Sequence, residues 1–198
     1  GLNTNWQSGH AVFGGATGTV TVVGIQNFQN LQFATAGYTL TGGTLNNTFS
    51  GGYISDTVAN TQINSDITGL QIAKQGSSVT GLGGNNSFAG LDIQAGGVLI
   101  SSNTALGAGT VTMATGTSLE AAASVTATNN IVLTGSTTID DHSNTLTLNG
   151  VISGAGSTDL NKNGTGTLVL NGANTYAGVT NLNAGTLSVG NATALSTG

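Results

Sequence analysis

Few side chains in this 198-residue sequence could do chemistry. There are two lysines, seven acidic residues, two histidines and no arginine. Their one concentration is Asp140-Asp141-His142. Such a trio could hold a metal cation or work as an acid–base pair. An extended chain sends neighbouring residues to opposite sides, however. The stretch therefore reads better as a solvated turn between strands around Ile139 and Leu146. His10 has no acid within ten residues and reads as structural or exposed. Nucleophilic catalysis needs a base and an orienting group beside a Ser or Cys. No G-x-S-x-G elbow is present, so no catalytic serine can be nominated. The phrases "GATGTV" and "GTGTLV" lack the lysine and helix of a phosphate loop. The calcium-binding nonapeptide G-G-x-G-x-D is missing too. The expectation is a protein that is not an enzyme and carries no cofactor.

The remaining residues must therefore build something. Gly and Thr number 33 each and Asn 22, while charged residues make up 5% against about 25% in an ordinary domain. The polar surface is thus expected to consist of neutral hydroxyls and amides. A net charge of −5 with two lysines leaves little to neutralise phosphates, which argues against nucleic acid and against anionic membrane surfaces. No run of about 20 apolar residues could span a bilayer as a helix. With no Cys and no Pro, disulfides and thiolate metal sites are excluded. One Glu and no Arg, amid Gly, Thr and Asn, make a poor recipe for helix interiors.

The sequence repeats itself. Lys74–Gly90 aligns with Lys162–Gly178 at an offset of 88 residues, matching Gly84 with Gly172, Asn86 with Asn174, Phe88 with Tyr176 and Gly90 with Gly178. After one inserted residue, Gly96 matches Gly185 and Leu106 matches Leu195. Both lysines occupy one repeat position. Short runs alternate apolar and polar residues, as in Val98/Ile100, Val111/Met113, Leu146/Leu148 and Leu168/Leu170. This is the period of half-buried strands. Repetition, uniform Gly-rich turns and outward Thr and Asn favour a β-solenoid over a sandwich or closed barrel. Dividing 88 by four suggests about nine coils of roughly 22 residues. Repeat units fall at about residues 61–109 and 146–198, after an aromatic-rich section 1–60. The chain stops inside a repeat phrase, so a segment of a longer protein, or a protomer that stacks end to end, is expected.

The phrases "GTGTLVLNGANTYAGVTNLNAGTLSVGNATAL" and "GGNNSFAGLDIQAGGVLISSNTALGAG" resemble the autotransporter-associated β-strand repeat of Gram-negative passenger domains. Departures are "GSSVTGL" at Gly76–Leu82, Phe88 in place of Tyr, and a terminal "ALSTG". The resemblance implies a right-handed parallel β-helix exported to the cell surface through an outer-membrane β-barrel encoded elsewhere in the full-length chain. It implies adhesion, self-association or biofilm formation, with self or a host surface ligand as partner. The alternative is a passive stalk that aids folding and export.

Each singled-out residue has a plainer reading beside its functional one. Lys74 and Lys162 are expected at turns, stem over apolar surface and head in water. Asn86 and Asn174 are expected at turns as an amide ladder, with Phe88 and Tyr176 capping the core. Seven of nine aromatics lie in the first 53 residues. Of these, Trp6, Phe28, Tyr38 and Tyr53 are candidates for an interaction patch, with core filling as the plainer reading. An ice-binding face is a remote third reading. The T-x-T pairs Thr19/Thr21, Thr39/Thr41, Thr110/Thr112 and Thr145/Thr147 are not spaced by one common coil length.

Overall fold

The computed structural model describes residues 9–195. These form a parallel β-helix of nine coils. Every strand pairs in parallel with its counterpart one coil away, and no helix is present among the described residues. The first sheet has nine strands, from His10–Phe13 to Thr175–Tyr176, and the second has nine, from Thr19–Thr21 to Thr180–Leu182. The third side carries Ile25–Phe28, Thr44–Asn47 and Asp66–Gly69, then an interruption, then four strands from Val125–Ala127 to Thr186–Val189. At about 4.8 Å per coil, the nine coils make a rod of roughly 40 Å.

The period-2 pattern builds the core. Inward positions stack into columns such as Leu31, Ile54, then Ile93, Met113 and Leu133, all at most 2% exposed. In the N-terminal coils the same interior holds rings. Phe13 stacks on Phe33 with centroids 4.7 Å apart, and Tyr38 leans on both. The Tyr38 hydroxyl donates toward the carbonyls of Gly14 and Ala16, both at 2.8 Å. Phe13, Phe33 and Tyr38 are therefore core filling, with the tyrosine's polar tip satisfied.

Coil length departs from the expected 22 residues. Most coils advance by 20 or 21, as from Leu91 to Val111 and Ile131 to Ile152. The extremes are 18, from Val79 to Gly97, and 23, from Asn30 to Tyr53 and again from Thr137 to Leu160. The 88-residue repeat is consequently four coils plus one face. Ile72–Gln75 belongs to the first sheet, but its repeat partner Leu160–Asn163 belongs to the second. Likewise Val79–Leu82 lies in the second sheet and Thr167–Leu170 in the third. The second copy is rotated by one side around the axis. The T-x-T pairs scatter as well: Thr19–Thr21 and Thr39–Thr41 stack on the second sheet, Thr110/Thr112 lie on the first and Thr145/Thr147 on the third. This leaves no continuous threonine face of the kind ice binding would need.

Candidate functional site

The strand "IAKQ" puts Ile72 inward, Ala73 outward and Lys74 inward again. Lys74 replaces an aliphatic residue in the column between Ile54 and Ile93. "LNKN" does the same for Lys162, between Ile139 and Leu182. Both lysines are buried, at 1% and 0% exposure, so the expectation of a wet ammonium head is corrected. Strand alternation, carried through the lysine, would have found this.

An inward ammonium needs partners, because burying an uncompensated charge is expensive. The neighbouring turn supplies them. Lys74 Nζ donates to the carbonyls of Gln75 (2.8 Å), Gly76 (3.0 Å) and Ser78 (2.8 Å), and to Ala95 of the next coil (3.3 Å). Lys162 Nζ donates to Asn163 (2.7 Å), Gly164 (2.9 Å) and Ala184 (3.1 Å). These are the same repeat positions. Gly76 and Gly164, at φ of 81° and 80°, turn the backbone so that successive carbonyls face inward, a conformation glycine adopts without steric cost.

The two cages differ in their carboxylate. Lys162 forms a 2.6 Å ion pair with Asp141, both fully buried. Asp56 is the counterpart beneath Lys74. Its carboxylate is held by the Val58 amide and the Thr80 hydroxyl, and no carboxylate among the described residues lies within ion-pair distance of Lys74. Burial therefore pulls the Lys74 pKa down to about 8, partly offset by the attraction of Asp56.

Asp140, Asp141 and His142 do not converge. Asp141 points inward to Lys162, while Asp140, the last residue of its strand, and His142, in the turn that follows, face outward. The stretch does turn between the strands of Ile139 and Leu146, but Asp141 leaves solvent for the core, which separates it from the other two. His142 sits at φ 53° and its Nε2 lies 3.2 Å from Glu120, whose strand position is stacked on Asp140. His142 thus bridges two stacked carboxylates. Among the described residues no group of three His, Asp or Glu side chains is arranged to hold a metal ion.

Asn86 and Asn174 are buried staples, which corrects the expected turn-side amide ladder. Asn86 Oδ1 accepts the Ile67 amide (2.7 Å) from one coil and Nδ2 donates to the Ala105 carbonyl (2.7 Å) of another. Asn174 does the same between Ile152 (2.8 Å) and Ala194 (2.6 Å). Asn86 lies where the third side lacks strands, so its amide replaces a missing ladder bond between coils. Phe88 and Tyr176 are both buried beside these staples. Gly84, Gly172 and Gly178 lie where a Cβ would run into the backbone of the coil below. Gly96 and Gly185 do so too, at φ of 65° and 67°. Gly90 is looser, with a Cβ 3.2 Å from the Thr110 carbonyl. Leu106 is buried, whereas Leu195 in the last described coil is 38% exposed.

Of the candidate aromatic patch, Phe28 and Tyr38 are buried and offer no surface to a partner. Phe28 occupies an inward position at the end of its strand, and Tyr38, just before Thr39–Thr41, packs on Phe13 and Phe33. Tyr53 is half-buried, and Trp6 lies outside the described residues.

The outer wall carries amide and hydroxyl ladders. Asn46 donates to Asn27 (2.9 Å) and accepts from Thr68 (3.0 Å). Asn171 donates to Asn149, Asn181 to Asn161 and Asn183 to Asn163, all at 2.8–2.9 Å. With both lysines inside, the outer wall presents carboxylates from Asp66, Asp92, Glu120, Asp140 and Asp159 but, among the described residues, no ammonium or guanidinium. The wall is broken by a cleft of about 470 Å³ on the first sheet, between the turn at 50–52 and the strands carrying Ala73 and Asp92.

Residues 72–100 and 160–189 match the family Passenger-associated-transport-repeat. They span both lysine cages. The chain is 36% identical over 129 residues to the Adhesin BmaC autotransporter of Brucella suis biovar 1 (strain 1330), covering 63% of this chain and 4% of that relative. No solved structure matches the chain significantly.

Proposed function

Taking the chain as a passenger-domain segment of an exported, surface-exposed Gram-negative protein with two passenger-associated-transport repeats, we propose that it is an adhesive rod. In this reading it is non-enzymatic, and an outer-membrane barrel elsewhere in the full-length protein translocates it. The observation that carries adhesion over a passive stalk is the broken wall. Regular advances would suffice for a spacer, yet the long coil from Asn30 to Tyr53 projects a turn beside a cleft. Insertions in solenoids collect on the binding face, and loops on rigid scaffolds commonly carry function. The lysine cages and asparagine staples serve the rod itself, tying each repeat across coils while it folds.

The test is display of the segment on a non-adherent Gram-negative cell, with attachment to epithelial monolayers counted against a barrel-only control. Attachment at control level would remove the adhesive reading and leave the stalk. Self-association is a second reading, favoured by the amide ladders, whose unspent donors and acceptors could pair between rods. Sedimentation velocity over a wide concentration range decides it: a single monomer species at all concentrations eliminates it.

A further inference from the structure

The cleft on the first sheet is built rather than incidental. Asn47, fully buried, roots its projecting turn. Its Oδ1 accepts the Phe49 amide (3.1 Å) and its Nδ2 donates to the Gln71 carbonyl (2.9 Å). The turn closes with Gly52 N–H donating to the Phe49 carbonyl (3.3 Å). The floor is low because the small Ala73 lies in register between Tyr53 and Asp92. Leu70, 46% exposed, gives an apolar wall. Gln71, Asp92 and Gln94 give the polar one. Gln94 is already oriented: it donates to Asp92 Oδ2 (2.8 Å) and accepts from Gln75 (3.0 Å). The volume falls within the range of about 300–1,000 Å³ typical of small-ligand sites.

The chemistry narrows the ligand. Both lysines are buried and the chain has no arginine, so nothing here would pair with a phosphate, sulfate or sialic acid carboxylate. Asp92 can accept hydroxyls, and the glutamine amides can both donate and accept. Leu70 and Ala73 suit the C–H face of a ring. One carboxylate already bonded to an amide is a weak lure for a cation. We propose that this cleft binds a neutral sugar unit of a surface glycan, Asp92 and Gln71 bonding its hydroxyls and Leu70 packing on its ring. This rests on the adhesive reading and names the ligand class for it.

The test uses the 198-residue chain with lactose, maltose, cellobiose and N-acetyllactosamine, read by saturation-transfer NMR and titration. 6′-Sialyllactose and a tetralysine peptide are the charged controls. At least one neutral sugar should bind, with affinity little changed by salt. Asp92→Asn should weaken it at least five-fold, and Ala73→Phe, which fills the cleft from an outward position, should abolish it. Circular dichroism on both variants confirms the fold. No binding of any neutral sugar overturns the proposal. So does preferential binding of either charged control, or sugar binding that survives both substitutions. Displayed cells separate the two claims. Attachment unchanged by Ala73→Phe keeps the adhesive reading and sinks the cleft assignment. Sugar binding without attachment does the reverse.

Discussion

Replacing Lys162 with Met should be among the most damaging single substitutions in the rod. The side chain is fully buried, its ammonium meets three carbonyls at 2.7–3.1 Å, and Asp141 lies 2.6 Å away. Met keeps the length but removes the charge. Asp141 would retain the Gly166 amide on Oδ1 and face an apolar side chain with Oδ2. Breaking a buried ion pair by deleting one partner costs about 3–5 kcal/mol. Lys74→Met should cost less, since no carboxylate is paired with it; its abandoned carbonyls set the scale at about 1–3 kcal/mol. Lys162→Met combined with Asp141→Leu should recover much of the loss, because an apolar pair of similar volume can replace a buried ion pair. Urea unfolding followed by circular dichroism gives the ranking, and hydrogen exchange at Leu160–Asn163 locates the damage. A Lys162→Met cost below about 1 kcal/mol, or one equal to that of Lys74→Met, would refute the reasoning.

Further outcomes follow from the same geometry. Lys74 titrates near pH 8 when folded and near 10.5 when unfolded. Between these values the unfolded chain binds more protons, so stability should rise with pH across that window. Lys74→Met should flatten this rise in urea titrations run from pH 7.5 to 11. Asn174→Ala leaves the Ile152 amide and the Ala194 carbonyl without their shared partner, at about 1–3 kcal/mol, and should speed amide exchange at Ile152. Gly96→Ala adds a steric collision with the Ser78 carbonyl to its positive φ, whereas Gly156, at φ 76°, has open space around it. Gly96→Ala should therefore lower the melting temperature well beyond Gly156→Ala, whose cost is about 1–2 kcal/mol of backbone strain.

Much of the rod is written locally. Alternation in runs such as Leu146/Leu148 and Val98/Ile100 set strands and inward faces, and the doubled phrase marked the repeat. The candidate site was less legible. Asn47 and Leu70 carry no signal until coil stacking places the turn at 50–52 beside Ala73 and Asp92. Asp140 and Asp141 are neighbours in sequence, and only the stacked coil that brings Lys162 to Asp141 shows which of them is buried.

The sequence by itself determined the all-β class and the repeat, because these depend on local alternation and on self-similarity along the chain. Tertiary structure decided which side of the rod each copy occupies. An 88-residue spacing spread over coils of 18 to 23 residues accumulates to four coils and one face. That sum depends on every corner between the copies. It also decided that the lysines go inward. The carbonyls that compensate them come from turns in two successive coils, Gly76 with Ala95 and Gly164 with Ala184, and these meet at one ammonium only after the coils have stacked.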